Sequence, residues 1–234
     1  MRVLGIIPAR GGSKRLPRKN LTPFLGKPLV ARSIEAALAS ERLDRVVVSS
    51  DDDEILSVAR GYDPKIALIR PDAISQDESL AIEYVRHALE TLETAGEAPF
   101  DAVCIVQPSS PLTRAADIDA TIELLEQSGA DSAVSVMKID HAIHPFKLKI
   151  MEDDRLLAYL EEERGRMAAH QIPSLYVRNG SVYVTRRATI DAGEVIGQGC
   201  RGHVMPRERS VDVNDEIDLA FAEFMHQRES QVSA

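Results

Sequence analysis

A basic, glycine-containing segment near the start of the chain carries the residue types that bind phosphate groups. Residues 6–20 have the sequence IIPARGGSKRLPRKN, and the GGS run at 11–13 would let backbone amides approach an anion closely. Arg10, Lys14 and Lys19 can add charge-assisted hydrogen bonds to phosphate oxygens. The spacing fits neither the GxxxxGK(S/T) loop nor the dinucleotide GxGxxG pattern. The segment therefore predicts a phosphate site of another kind.

The charge distribution favours a compact anion over an extended one. The chain has 28 Lys and Arg against 37 Asp and Glu, and its net charge of −9 argues against general nucleic-acid binding. The first 34 residues contain no Asp or Glu, and their cations are Arg2, Arg10, Lys14, Arg15, Arg18, Lys19, Lys27 and Arg32. A local cationic patch on an acidic protein suits a triphosphate.

A second segment, VDVND at 211–215, could hold a divalent cation. Mg²⁺ prefers hard oxygen ligands, takes few protein carboxylates and completes its shell with water and substrate phosphate. Alternation along an extended chain puts Asp212 and Asn214 on the same side, so we predict both as ligands. Asn214 offers a neutral carbonyl oxygen and brings less charge than a carboxylate. Asp215 would point the other way and suits the N-cap of a final helix.

Buried strands and amphipathic helices alternate along the chain, and they must position these residues. The predicted strands are Val3 to Pro8, Arg45 to Ser49, Lys65 to Ile69, Ala102 to Val106, Ser132 to Val136 and Tyr176 to Thr185. The predicted helices are Leu29 to Ala39, Asp51 to Ala59, Ser79 to Thr94, Ala115 to Gln127 and a closing helix, Asp215 to Gln227, with Ile217, Phe221, Phe224 and Met225 on one side. Such alternation predicts a three-layer α/β/α fold with a mostly parallel sheet and ligands at the carboxyl ends of its strands.

Length and composition predict one main domain over residues 1–234, soluble and cytoplasmic, with no stretch apolar enough to span a membrane. The two cysteines, Cys104 and Cys200, lack the spacing of a disulfide framework or a zinc site. From about residue 140 to 176 the alternation stops. That stretch is too irregular to be another crossover helix.

Several motifs in order resemble the acylneuraminate cytidylyltransferases, also called CMP-sialic acid synthetases, and more distantly the CMP-Kdo synthetases. They are PARGGSK…PRKN at 8–20, VSSD at 48–51, R-P-x(5)-D at 70–77, QPSSPLTR at 107–114, His-Pro at 144–145, RNGSVYV at 178–184 and VDVNDEIDL at 211–219. The resemblance covers nearly the whole chain and implies a Rossmann-like nucleotidyltransferase fold.

The resemblance also implies roles for individual residues. Those at the nucleotide are Ala9, Arg10, Gly11, Gly12, Ser13, Lys14, Lys19, Asn20 and Arg70, with Lys19 nearest the attacked α-phosphate and Arg70 at the base or ribose. Those at the acidic sugar are Gln107, Ser109, Asn179 and Lys147. Catalysis would fall to Lys19, Arg10, Lys14 and Asp212.

Some of these residues have alternative interpretations. The Gln107 loop could be a proline-fixed turn with a serine helix cap, and Asn179-Gly180 could form a hairpin turn. Asp72 and Asp77 follow Arg70, and we expect Asp77 in particular to cap the helix that begins near Ser79.

The implied activity is the Mg²⁺-dependent coupling of CTP to a 2-keto-3-deoxy nonulosonic acid, with release of pyrophosphate, by a homodimer whose contact segment is the insert at 140–176. The chain departs from the family pattern at two places. Asn214 replaces an Asp, which brings less charge to the metal, and AHQIP at 169–173 lacks an expected Arg, which leaves the sugar open. Arg164, Arg166 or Arg178 could replace that Arg in space. The alternatives are legionaminate, pseudaminate or Kdo with CTP, a sugar 1-phosphate with another nucleotide, or a non-catalytic nucleotide-sugar binding module.

Overall fold

A seven-stranded sheet organises the chain, which the computed structural model describes for residues 1–160 and 173–232. The strands are β1 (Val3–Pro8), β2 (Pro23–Phe24), β3 (Lys27–Pro28), β4 (Arg45–Ser50), β5 (Ala67–Ile69), β6 (Ala102–Val106), β7 (Ser132–Lys138), β8 (Lys149–Glu152), β9 (Arg155–Ala158), β10 (Tyr176–Arg186) and β11 (Cys200–Val204). The helices are α1 (Leu29–Leu38), α2 (Asp53–Tyr62), α3 (Ala81–Thr94), α4 (Ala115–Ser128), α5 (Arg187–Asp191) and α6 (Glu216–Val232).

The strand order in the main sheet is β11-β7-β10-β6-β1-β4-β5. Only β10 runs against its neighbours, and the other adjacent strands pair in parallel. The prediction of a mostly parallel sheet is therefore confirmed. Because β1, β4 and β6 are parallel neighbours, the loops that follow them open at one edge of the sheet, where an α/β fold binds its ligands.

Helices cover both faces of this sheet, as the three-layer prediction requires. On one face, Ile34 of α1, Ile55 of α2 and Ile118 of α4 are fully buried in one core with strand residues. On the other, Val85 of α3 and Ile190 of α5 pack with the opposite side chains of the same strands. Strands β1, β4 and β6 alternate between these two cores, as the period of two along a strand dictates. A smaller third cluster joins Phe24, Leu29, Leu112, Val211, Val213 and Met225 with Leu16 of residues 9–20, which we call the phosphate segment.

Most predicted elements are confirmed, and the differences have local causes. The segment Lys65 to Ile69 begins as a 3₁₀ turn, Pro64–Ile66, so that only Ala67–Ile69 forms a strand. Asp52 accepts hydrogen bonds from two backbone amides at the start of α2, which delays that helix to Asp53. Strand β11 has no counterpart in our prediction, since its CRGHV sequence reflects an exposed sheet edge with no apolar alternation.

The closing helix is confirmed as α6, but most of the apolar side predicted for it is not buried. Met225 is buried, but Ile217, Phe221 and Phe224 are exposed, at 79%, 47% and 55%. The helix instead packs through Ala222 and Met225 on the third cluster. Four apolar residues at helical spacing predict an apolar side of the helix, but whether another element buries that side depends on the fold.

The irregular segment from residue 140 to 176 holds 3₁₀ turns and the hairpin of β8 with β9 in its described part. Residues 161–172, with Arg164, Arg166 and most of the AHQIP segment, lie outside the described residues. Cys104 and Cys200 are free thiols. No helix within the described ranges has both the length and the apolar character of a membrane span.

Candidate active site

The phosphate segment follows β1 and is held against the end of β4. The amide of Gly11 donates to Oδ1 of Asp51 at 3.0 Å. A Cβ atom on Gly11 would lie 2.7 Å from Oδ2 of Asp52, whereas one on Gly12 would meet no atom of the described residues within 4 Å. Glycine is therefore required at position 11 by close packing, and position 12 has open space. Asp51 belongs to the VSSD motif, which our sequence analysis recognised without giving this residue a role.

Asn20 fixes the same segment from inside. Its side chain is buried, and Nδ2 donates to the carbonyl of Arg10 at 2.8 Å. The carboxamide predicted to bind a phosphate thus has a structural partner already. In this conformation Asn20 shapes the phosphate segment.

Lys19 joins the phosphate segment to the VDVND segment. Its Nζ donates to the carbonyl of Val213 at 2.9 Å, across 194 positions of sequence. Burial lowers the pKa of Lys19, and the neighbouring Asp212 carboxylate partly opposes that shift. The two motifs that we predicted to act together therefore contact each other directly, with a half-buried ammonium between them.

Arg10 and Lys14 both contact Asp77. Nη1 of Arg10 lies 2.7 Å from Oδ1, and Nζ of Lys14 lies 2.6 Å from Oδ2. The prediction that Asp77 caps the following helix is wrong, since α3 begins at Ala81 and its first turn is closed by the Glu83 carboxylate, which accepts from the amide of Leu80. Asp77 is too early in the chain to reach the free amides of that helix.

Asp212 and Asn214 lie side by side, as alternation predicted. Nδ2 of Asn214 donates to Oδ2 of Asp212 at 3.0 Å, and Oδ1 of Asn214 accepts from Nη2 of Arg15 at 3.1 Å. Asp215 accepts from the amides of Ile217 and Asp218, so it caps α6 as expected.

This donor set suits Mg²⁺. One carboxylate and one amide oxygen are hard ligands, and they leave most of the shell to water and phosphate oxygens, which is how Mg²⁺ is commonly held. Asn214 would have to turn its oxygen from Arg15 towards the ion. Within the described part of the chain, no group of three or more His, Cys, Asp or Glu side chains could hold a metal ion.

The Asn-Gly sequence in β10 produces a bulge and no hairpin turn. The pairing of β10 with β7 shifts between Arg178 and Tyr183, and Gly180 takes a φ of 72° there. A Cβ on Gly180 would lie 3.5 Å from the Asp212 carboxyl carbon. The bulge thus brings bare backbone against the proposed metal ligand, a common use of bulges beside active sites.

Arg70 lines a second part of the site. A cavity of about 300 Å³ is bordered by Arg10, Arg70, Asp77, Tyr84 and Gln107, among others. The Arg70 side chain is only 4% exposed, its guanidinium lies 5.4 Å from the centre of the Tyr84 ring, and burial lowers its pKa. Its Nε and Nη2 have no hydrogen-bond partner among the residues that the structure describes. A buried donor group of this kind is costly to leave unpaired, which fits a ligand-binding role.

The residues expected at the sugar fall into different surroundings. Gln107 borders the Arg70 cavity, and the carbonyl of Ser109 accepts from the amide of Val213 at 2.7 Å, so this loop touches both parts of the site. Asn179 is buried, accepting from Ser135 at 2.6 Å and donating to Ser210 at 2.9 Å.

Asn179 therefore stabilises the bulge from the interior of the protein, and its carboxamide is already hydrogen-bonded.

The remaining predicted residues lie in several places. Nζ of Lys147 lies 2.9 Å from Nδ1 of His141, within the irregular segment. Arg178 is exposed on β10 beside the bulge. Ala9 continues from β1, its amide donating to the carbonyl of Ser49 at 3.0 Å, and Ser13 lies half-buried in the phosphate segment.

Known proteins share this sequence pattern and fold. A family model described as cytidylyltransferase matches residues 4–196. A pseudaminic acid cytidylyltransferase of Campylobacter jejuni is 31% identical over 97% of both chains. A CMP-N,N'-diacetyllegionaminic acid synthase of Legionella pneumophila is 31% identical over 95% of both. An N-acylneuraminate cytidylyltransferase of Escherichia coli is 25% identical over 98% of this chain and 53% of its own length.

Solved structures agree on the fold. The CMP:2-keto-3-deoxy-manno-octonic acid synthetase complexed with CTP superposes with a TM-score of 0.72 at 17% identity, covering 98% of this chain and all of the other. At such low identity the structural similarity shows the fold alone. The family model and the near-full-length relatives carry the assignment further: the chain belongs to the cytidylyltransferase family.

Proposed function

We propose that this protein transfers the CMP group of CTP to an acidic nonulosonic sugar and releases pyrophosphate. The observation that carries the proposal is the hydrogen bond from Lys19 to the Val213 carbonyl, because it joins the cationic phosphate segment to the Asp212 carboxylate in one site. Relatives named for pseudaminic, legionaminic and N-acylneuraminic acid support a nonulosonate as the acceptor.

Residues of this chain would divide the chemistry between them. Lys19 would neutralise the α-phosphate under attack, and Arg10 and Lys14 would stabilise the charge that grows on pyrophosphate as it leaves. Gln107 and Ser109 would orient the sugar so that its anomeric hydroxyl meets the α-phosphorus in line with the leaving group. Arg70 would contact the base or ribose.

We propose Asp212 and Asn214 as the residues that hold Mg²⁺. When bound there, the ion would neutralise phosphate oxygens and make the sugar hydroxyl more acidic. The alternatives of another acidic sugar or another nucleotide are distinguished by the assay below.

The contact surface of a homodimer is proposed from the hairpin of β8 and β9. Ile150, Met151 and Leu156 are exposed there at 45%, 69% and 63%, and a second copy of the chain would remove these apolar surfaces from water. We also propose the cytoplasm as the place of action, because the nucleoside triphosphate would be available there.

The test is pyrophosphate release with each of CTP, UTP, GTP and ATP in the presence and absence of Mg²⁺. Each nucleotide is combined separately with pseudaminic acid, legionaminic acid, N-acetylneuraminic acid, Kdo and a hexose 1-phosphate. We expect release only with CTP, an acidic sugar and Mg²⁺ together. Release with another nucleotide and a sugar 1-phosphate would replace the proposal, and no release with any pair would favour a binding module.

Lys19→Met and Asp212→Asn should each lower kcat by about 100-fold or more, since each removes charge that stabilises the transition state. Lys65→Met and Asp72→Asn are matched controls, because both parent side chains are exposed and lie outside the proposed catalytic set. Thermal unfolding should stay near that of the wild type in all four variants. Wild-type turnover in either site variant would remove that residue from the mechanism.

A further inference from the structure

Asp77 occupies the two side chains that the proposed reaction assigns to the leaving pyrophosphate. Its oxygens lie 2.7 Å from Nη1 of Arg10 and 2.6 Å from Nζ of Lys14. Both oxygens of the carboxylate are engaged, in the way that two neighbouring phosphate oxygens would be.

The other cations of the segment are held differently. Lys19 donates to a backbone carbonyl, Arg15 to the Asn214 carboxamide, and Arg18 pairs with Asp52 and Glu54. Within the described part of the chain, Asp77 is the acid that faces Arg10 and Lys14. Hydrogen bonds from Lys14 and then Arg10 lower its pKa, so the carboxylate is charged at neutral pH.

The ion pairs of Asp77 with Arg10 and Lys14 are exposed enough for another anion to displace the carboxylate. Lys14 is 77% exposed and Asp77 is 37% exposed, and exposed ion pairs are weak and sensitive to salt. Asp77 also borders the Arg70 cavity together with Arg10. A phosphate chain entering from that cavity would therefore meet the carboxylate first and compete with it for the same donors.

We propose that Asp77 is an internal competitor of the substrate's phosphate chain, and that it sets how strongly an anion must bind to occupy Arg10 and Lys14. Every anion that needs these two cations loses the same factor in affinity. Small anions such as orthophosphate or a sugar carboxylate then fall below useful occupancy. A triphosphate keeps enough further contacts, with Lys19 and the backbone of the phosphate segment, to displace the carboxylate.

The inference rests on the proposed function only in requiring that the phosphate segment binds a phosphate chain. Its test is the calorimetric titration of the whole protein with inorganic tripolyphosphate and with pyrophosphate, at constant ionic strength and with EDTA. Asp77→Asn removes the competing charge and keeps the size of the side chain. Asp72→Asn is the matched control, because Asp72 is exposed in the same segment and forms no ion pair with a described residue.

Asp77→Asn should bind both anions about three- to tenfold more tightly than the wild type, and Asp72→Asn should match the wild type. The gain should shrink as salt is raised, because salt already weakens the ion pairs that the wild type must break. Unchanged or weaker binding in Asp77→Asn, with unfolding like that of the wild type, would overturn the proposal and indicate that Asp77 only orients the cations.

These outcomes separate the two proposals. Tighter tripolyphosphate binding together with no cytidylyl transfer would keep the role of Asp77 and reject the proposed reaction. Cytidylyl transfer together with an unaltered tripolyphosphate affinity in Asp77→Asn would do the reverse.

Discussion

At the scale of single residues, the two adjacent glycines of the phosphate segment have different tasks. Gly11 packs against Asp52 and donates its amide to Asp51, while Gly12 has open space around its Cα. Any L-residue at position 11 would force the segment away from β4, since a Cβ at 2.7 Å from an oxygen is a severe overlap.

Gly11→Ala should therefore lower kcat/KM for CTP by about tenfold or more, because a small misplacement of the phosphate ligands is costly. Gly12→Ala is the matched control and should stay within about threefold of the wild type. Steady-state kinetics at varied CTP would measure both. Equal losses in the two variants would mean that the amide of Gly12, and not the packing of Gly11, limits the approach of the phosphates.

At the scale of elements, Asp117 ties the start of α4 to the chain that leads into the VDVND segment. Its carboxylate accepts from Arg209 at 2.6 and 3.2 Å and from the amide of Arg114 at 3.0 Å. His203 on β11 lies 3.8 Å away. This cluster holds residues 203–209 in place. Because these residues precede Asp212 by only a few positions, the cluster helps to position the proposed metal ligand.

The cluster predicts a pH dependence of stability. Burial would raise the pKa of Asp117, but the nearby His203 and the hydrogen bonds from Arg209 and the Arg114 amide outweigh it and hold the pKa at about 2, below the ordinary 3.8. A carboxyl whose pKa is lowered by folding stabilises the protein above its unfolded pKa, and that contribution is lost as the pH falls through about 4 to 2.

Asp117→Asn should lower the free energy of unfolding at pH 7 by about 2 kcal/mol and should flatten its pH dependence below pH 4. Urea unfolding at pH 7, 5, 4 and 3 would show both effects. Asp119→Asn is a comparison outside the cluster. Asp119 lies on the same helix, and its carboxylate accepts hydrogen bonds from Ser40 and from nearby backbone amides. A parallel loss for wild type and Asp117→Asn between pH 4 and 3 would contradict the assignment.

At the scale of the whole molecule, apolar side chains stay exposed on the hairpin of β8 and β9. If a second copy covers them, Met151→Asp or Leu156→Asp should convert a dimer to a monomer, because a charge in an apolar contact must be desolvated without a partner. Light scattering would measure the mass in solution. Ile69→Asp is a control of similar exposure, 66%, on the edge of the main sheet, and should leave the mass unchanged. A monomeric wild type would reject the dimer.

The sequence by itself determined the central elements of the fold, and it predicts the class of ligand. Strands Val3–Pro8 and Ala102–Val106 coincide with their predictions, because continuous apolar runs bounded by loop residues have few other ways to be buried. The alternation of strands and helices also determined the layered architecture. The concentration of basic side chains in residues 1–34 predicts a compact polyanion as the ligand, since charge and backbone access are local properties.

Only the tertiary structure decided which distant groups share the site. The sequence around Lys19 does not predict its hydrogen bond to Val213, and the sequence around Asp77 does not predict its ion pair with Arg10. Both contacts depend on how loops from separate strands converge at one edge of the sheet. The same holds for Asn179, whose carboxamide is used in the interior, and for the exposed side of α6. Pairing across long sequence separation follows from packing of the whole chain, so it has no periodic signal in the sequence.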